Sequence, residues 1–196
     1  YGPLGIDQAV DYTIQTARGL MQLHLHGIYH RNIKPHVLWV DMRGQVKISN
    51  LFLAKLGEQA VADGQDDELT RMGEMLGTPE YLAPEQALDA KSADQRADVY
   101  SLGCTLHFML TGKSPYGGKS LIDKLSAHST KPIPSLRAVR ADVPEYVDRA
   151  FHCMMAKNRD ERFAFMGDVV SALEPQKPPI GLLARLLAMV YPKQRS

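Results

Sequence analysis

The stretch over residues 99–110 constrains the fold most. Val99, Leu102, Gly103, Leu106, Phe108, Met109 and Leu110 make it the most apolar helix of the chain, and Gly112 stands where it should end. A helix this apolar is stable in water only when other elements cover it. Candidates to cover it are plentiful. Ile6, Ala9, Val10, Ile14, Ala17, Leu20, Met21, Leu25 and Ile28 recur at helical spacing, with Pro3 and Gly5 before them and Gly27 at the expected stop. One long amphipathic helix is therefore expected over roughly residues 6–26. Residues 121–127, 144–155 and 163–173 read as three further helices. Residues 37–40 and 46–48 are the short β-rich runs, and Asp41-Met42-Arg43-Gly44 between them supplies turn chemistry for a hairpin. The expectation is a mainly α fold, a helical bundle with one small β-hairpin.

Residues 50–85 show no sustained period and hold an acidic run over residues 63–68. A stretch this long without periodicity in a compact domain is usually functional or disordered. Pro175, Pro178 and Pro179 mark a boundary. Beyond it Leu182, Leu183, Leu186, Leu187 and Val190 form a short amphipathic segment. The expected division is a main domain over residues 1–174, then a Pro-rich linker and short amphipathic C-terminal helix over residues 175–196. The chain opens on Tyr1 rather than Met, so it is expected to be a piece of something longer or a mature fragment. No apolar run reaches the roughly 18 residues of a membrane span. No basic-then-apolar signal layout opens it either, so a cytoplasmic location is expected. A net charge of +1 gives no electrostatic ground for a nucleic-acid partner. Cys104 and Cys153 stand in separate apolar stretches and are expected to be buried reduced thiols. The spacing of His24, His26, His30 and His36 fits no closed zinc set, so no metal site is expected from them.

Local motifs make the pattern specific. His30-Arg31-Asn32-Ile33-Lys34-Pro35 looks like the HRDLKP catalytic loop of protein kinases. Residues 46–54, through Ser49, Asn50, Leu51 and Phe52, look like the strand that leads into DFGLA. Residues 77–85, with Thr78 and Glu85, look like the GTPxYLAPE end of an activation segment. Asp98-Val99-Tyr100-Ser101-Leu102-Gly103 matches the start of that family's central buried helix, and Arg162 falls where the family keeps a buried arginine. With these five features in order, the chain over roughly residues 4–174 resembles the large C-terminal lobe of a eukaryotic-type serine/threonine protein kinase, in wording most similar to bacterial ones.

The resemblance implies a specific chemistry and a specific loss. Phosphoryl transfer needs a carboxylate to orient the attacking hydroxyl and magnesium to neutralise phosphate charge. The position of the family's catalytic aspartate is Asn32, an amide that cannot accept a proton. Losing a positioned base typically costs about 10²–10⁴-fold. The two magnesium-ATP positions are Val37, with no side-chain oxygen, and Asn50, with no charge. The glycine after them is replaced by Phe52. The family's small N-terminal lobe, with its Gly-rich loop and strand lysine, has no counterpart in these 196 residues. Retained are Lys34 of the catalytic loop and Thr78 of the peptide-positioning loop. Also retained are Arg31, which in active relatives pairs with a phosphorylated loop residue (Thr70 is the nearest candidate), and Asp98, an acceptor for the catalytic-loop backbone. Glu85 and Arg162 are expected to form a buried ion pair.

The resulting expectation is a pseudokinase C-lobe, N-lobe absent, acting as a non-catalytic interaction or regulatory module without a cofactor. Its upper face, near Leu51, Phe52 and the hairpin with Trp39, would be covered by an N-lobe or a protein partner. The alternative is a weak serine/threonine kinase that uses ATP and magnesium once an N-lobe outside this chain is supplied.

Overall fold

The computed structural model describes residues 2–51, 78–89 and 93–174. The expected acidic stretch, Phe52, Thr70 and the segment 175–196 lie outside the described residues. The elements in chain order are α1 (Ile6–Leu25), β1 (Leu38–Val40), β2 (Val46–Ile48), α2 (Pro84–Leu88), α3 (Gln95–Thr111), α4 (Leu121–Thr130), α5 (Leu136–Val139), α6 (Glu145–Met154) and α7 (Met166–Leu173). The fold is thus mainly helical with one two-stranded antiparallel sheet.

The apolar run became α3, and it lies at the centre. Asp94 caps its start by accepting from Arg96 N at 2.9 Å. Gly112 ends it at φ 73°, where its N–H reaches Phe108 O at 2.7 Å. Val99, Leu102, Cys104 and Leu106 are fully buried. The helix is covered by α1 on one side and α6 on another, and α7 packs against both of these. Gly103 sets the approach to α6: a Cβ there would sit 3.1 Å from Met154 Cβ and 3.2 Å from Met155 Sδ. Two polar residues buried on α3 have partners, Ser101 Oγ donating to Tyr81 O at 2.7 Å and Thr105 Oγ1 to Ser101 O at 2.9 Å.

The hairpin pairs Leu38 with Ile48, Trp39 with Lys47 and Val40 with Val46. Asp41 Oδ1 accepts from both Arg43 N and Gln45 N at 2.9 Å, which shapes the turn, and Gly44 takes φ 76°. β2 rests on α1. There Val46 N donates to Gln15 Oε1 at 2.9 Å, and a Cβ on Gly19 would meet Ile48 Cδ1 at 2.9 Å.

Several expectations need correction. Leu25 and Ile28 follow the helical spacing but are 73% and 39% exposed, because α1 is capped at His26 and its last turn clears the core. The last helix starts at Met166, and Phe165 before it is exposed. Cys104 is buried, whereas Cys153 is only half-buried, so one of the two thiols meets solvent. The two short helices α2 and α5 were not expected. Four or five residues are too few to show a period of 3.6.

Candidate functional site

α1 delivers the chain into a loop over residues 28–34, which enters β1 through a tight turn at Pro35–Val37. This loop is organised by one buried carboxylate. Asp98, fully buried on α3, accepts from His30 N at 2.8 Å, Arg31 N at 2.6 Å and His24 Nε2 at 2.8 Å. Three donors on one carboxylate compensate the cost of burying it. Arg31 adopts φ 60° there. Its guanidinium lies 5.9 Å from the Tyr29 ring centroid and donates to Ala93 O at 3.3 Å.

His30 links this loop to the strand end. Its Nε2 lies 2.9 Å from Ser49 O, and its Nδ1 accepts from Asn32 N at 3.3 Å. A carbonyl can only accept, so the ring proton sits on Nε2 and the lone pair on Nδ1. Ser49 N donates to Val37 O at 2.9 Å, Ser49 Oγ donates to the same oxygen at 3.1 Å, and Trp39 Nε1 donates to Ser49 Oγ at 3.1 Å. The stretches carrying Asn32, Val37 and Asn50 are thereby tied together. The Val37 side chain is 1% exposed and offers no polar atom. Asn50 is exposed at φ 64°. Arg31 and Asn50 are the only non-glycine residues with positive φ among the described residues, and both stand at this site.

The second half of the site is the segment from Thr78 into α2. Lys34 Nζ donates to Thr78 Oγ1 at 2.7 Å. Glu85 is anchored from below by Arg162, through Nη1–Oε1 at 2.6 Å and Nη2–Oε2 at 2.8 Å. The Arg162 side chain is wholly inaccessible and that of Glu85 is 14% accessible. Arg162 also donates to the carbonyls of Ala156 at 2.7 Å and of Arg96 and Lys157 at 3.1 Å, and stacks 4.8 Å over Tyr100. Of the candidate residues, Arg31, Asn32, Lys34, Val37, Asn50, Thr78, Asp98, Glu85 and Arg162 all lie in this connected region.

Two features escaped sequence reasoning. His24 enters the site as a partner of Asp98, although the two stand far apart in the chain. A second polar cluster sits beside α3: Tyr100 OH meets His128 Nδ1 at 2.8 Å, and Lys157 Nζ reaches Tyr116 OH at 2.8 Å and His128 O at 2.6 Å. Burial, and then the Lys157 ammonium, push the His128 imidazole down to about 4. Burial likewise brings Lys157 down to about 8. Among the described residues, no group of three or more His, Cys, Asp or Glu side chains is placed to hold a metal ion. No helix among them is long and apolar enough to cross a membrane.

A central buried helix and a carboxylate that binds the backbone of a HRxxKP loop define the protein kinase class. The chain belongs to the protein kinase domain family, whose model matches residues 2–172. It is 35% identical over 173 residues to the serine/threonine-protein kinase PknH of Mycobacterium tuberculosis, covering 88% of this chain and 26% of that protein. It is 33% identical over 182 residues to the serine/threonine-protein kinase PknB of Mycolicibacterium smegmatis, covering 90% of this chain and 28% of that protein. To the DNA damage-responsive serine/threonine-protein kinase RqkA of Deinococcus radiodurans it is 37% identical over 146 residues, 74% of this chain and 21% of that protein. The chain thus spans about a quarter of the length of these bacterial relatives.

Proposed function

We propose that this chain is the C-terminal lobe of a serine/threonine kinase domain that has lost its chemistry and serves as a protein-interaction module. The observation that carries the reading is the donor set around the connected loop. Asn32, Val37 and Asn50 bring no carboxylate to it, and Val37 is buried with no oxygen to offer. Hard Mg²⁺ is normally held by one or two carboxylates plus phosphate. The residues present do not fit magnesium-ATP. The surrounding scaffold is intact: Asp98 holds the loop and Arg162 holds Glu85. In this reading Arg31, Glu85, Asp98 and Arg162 serve architecture.

The partner surface is the upper face beside the hairpin. Trp39 is 65% exposed and Leu51 43%. In this reading an N-lobe or another protein covers them. One observation favours the second reading, a weak kinase completed by an N-lobe: Lys34 still meets Thr78 at 2.7 Å. Thermal-shift titration with ATP, with and without Mg²⁺, separates the two. A ligand at about 100 times its Kd stabilises by about 2.7 kcal/mol. The proposal expects no magnesium-dependent shift, and a saturable one would overturn it.

A further inference from the structure

Arg31 is held from both sides. Its N–H donates to Asp98 Oδ1 at 2.6 Å, and its C=O accepts from Gln86 Nε2 at 2.9 Å. Between these anchors φ is 60°, a conformation that crowds the Cβ of an L residue and persists only when its surroundings impose it. Gln86 is 5% exposed, and both ends of its amide are in use, since Oε1 accepts from Ala83 N at 3.2 Å. Ala83 closes the segment that begins at Thr78, and Thr78 is itself bonded to Lys34. The two loops of the site are therefore joined at two points.

We infer that Gln86 is a positioning residue: its amide holds Arg31 in the left-handed conformation and so sets the loop over residues 30–34 against the segment over residues 78–83. The position needs one donor and one acceptor on the same planar group. A carboxylate offers only acceptors and an apolar side chain offers neither, whereas a protonated carboxyl offers one of each. The inference does not depend on whether the site transfers phosphate, since it concerns the backbone on which Asn32 and Lys34 stand.

Hydrogen exchange by mass spectrometry on the full-length protein tests this, comparing Gln86→Leu and Gln86→Glu with the unaltered protein at the same pH. At pH 7 both variants are expected to lose about tenfold or more protection in a peptide spanning residues 29–34, while α3 peptides change by less than about twofold. On acidification to pH 4.5, Gln86→Glu is expected to recover protection as its carboxyl takes a proton, and Gln86→Leu is not. A space-filling role would not produce that recovery. Unchanged protection over residues 29–34, a uniform loss that includes α3, or equal behaviour of the two variants at pH 4.5 would overturn the inference.

Discussion

Replacing Glu85 by alanine strands a charge, and the structure sets the size of the effect. The Arg162 guanidinium has no accessible side-chain surface and would lose two short bonds, at 2.6 and 2.8 Å. Breaking one side of a buried pair typically costs about 3–5 kcal/mol. Here the carbonyls of Ala156, Arg96 and Lys157 and the face of Tyr100 still solvate the cation. The lower end, about 3 kcal/mol, is therefore expected. For a domain of this size about 1 kcal/mol moves Tm by roughly 2–4 °C, so the loss should reach about 6–12 °C. Urea denaturation measures it directly, with the midpoint falling and the slope unchanged. The double variant Glu85→Leu/Arg162→Met removes both charges and should recover part of the loss, stopping short of the unaltered protein because the carbonyls of Ala156, Arg96 and Lys157 lose their donor. A cost below about 1 kcal/mol for Glu85→Ala would refute the reasoning that this pair is energetically buried.

Three further outcomes follow from the same geometry. His128 titrates near 4 in the fold and near 6.5 unfolded, so the unfolded chain binds the extra proton between those values. Stability is then full above pH 6.5 and falls as the pH drops toward 4, by at most about 3 kcal/mol. Chemical denaturation across that range should show the acid limb flattened in His128→Asn. Gly103→Ala should cost about 1–2 kcal/mol despite better helix propensity, because Met154 Cβ cannot swing away. Gly19→Ala should cost less, since it meets only the end of Ile48. At Asn50, φ 64° makes Asn50→Gly neutral within about 0.5 kcal/mol and Asn50→Val destabilising by about 1–2 kcal/mol, read from thermal melts.

The sequence shows its long, periodic features and hides its short or distant ones. α3 was legible because a run so apolar has one stable place, the centre. The hairpin was legible because Asp41 and Gly44 carry turn chemistry that needs no partner. α2 and α5 are shorter than the period that would reveal them. The candidate site was readable as motif positions, but its wiring was not. His24 reaches Asp98 across 74 residues, and nothing at either position announces the other. Gln86 carried a faint signal, standing at the third position of a helix that opens on Pro84, where Gln favours capping. The cluster of Tyr100, Tyr116, His128 and Lys157 gathers from four separate stretches, and only packing assembles it.

In the proposed reading the stretches carrying Asn32, Val37 and Asn50 do not support phosphoryl transfer. Its most direct test is incorporation of labelled γ-phosphate from ATP into a serine/threonine substrate protein by the full-length protein, with Mg²⁺ or Mn²⁺ present. Incorporation no greater than that of the Lys34→Met variant is expected. Incorporation clearly above that background, and abolished by Asn32→Ala, would contradict it.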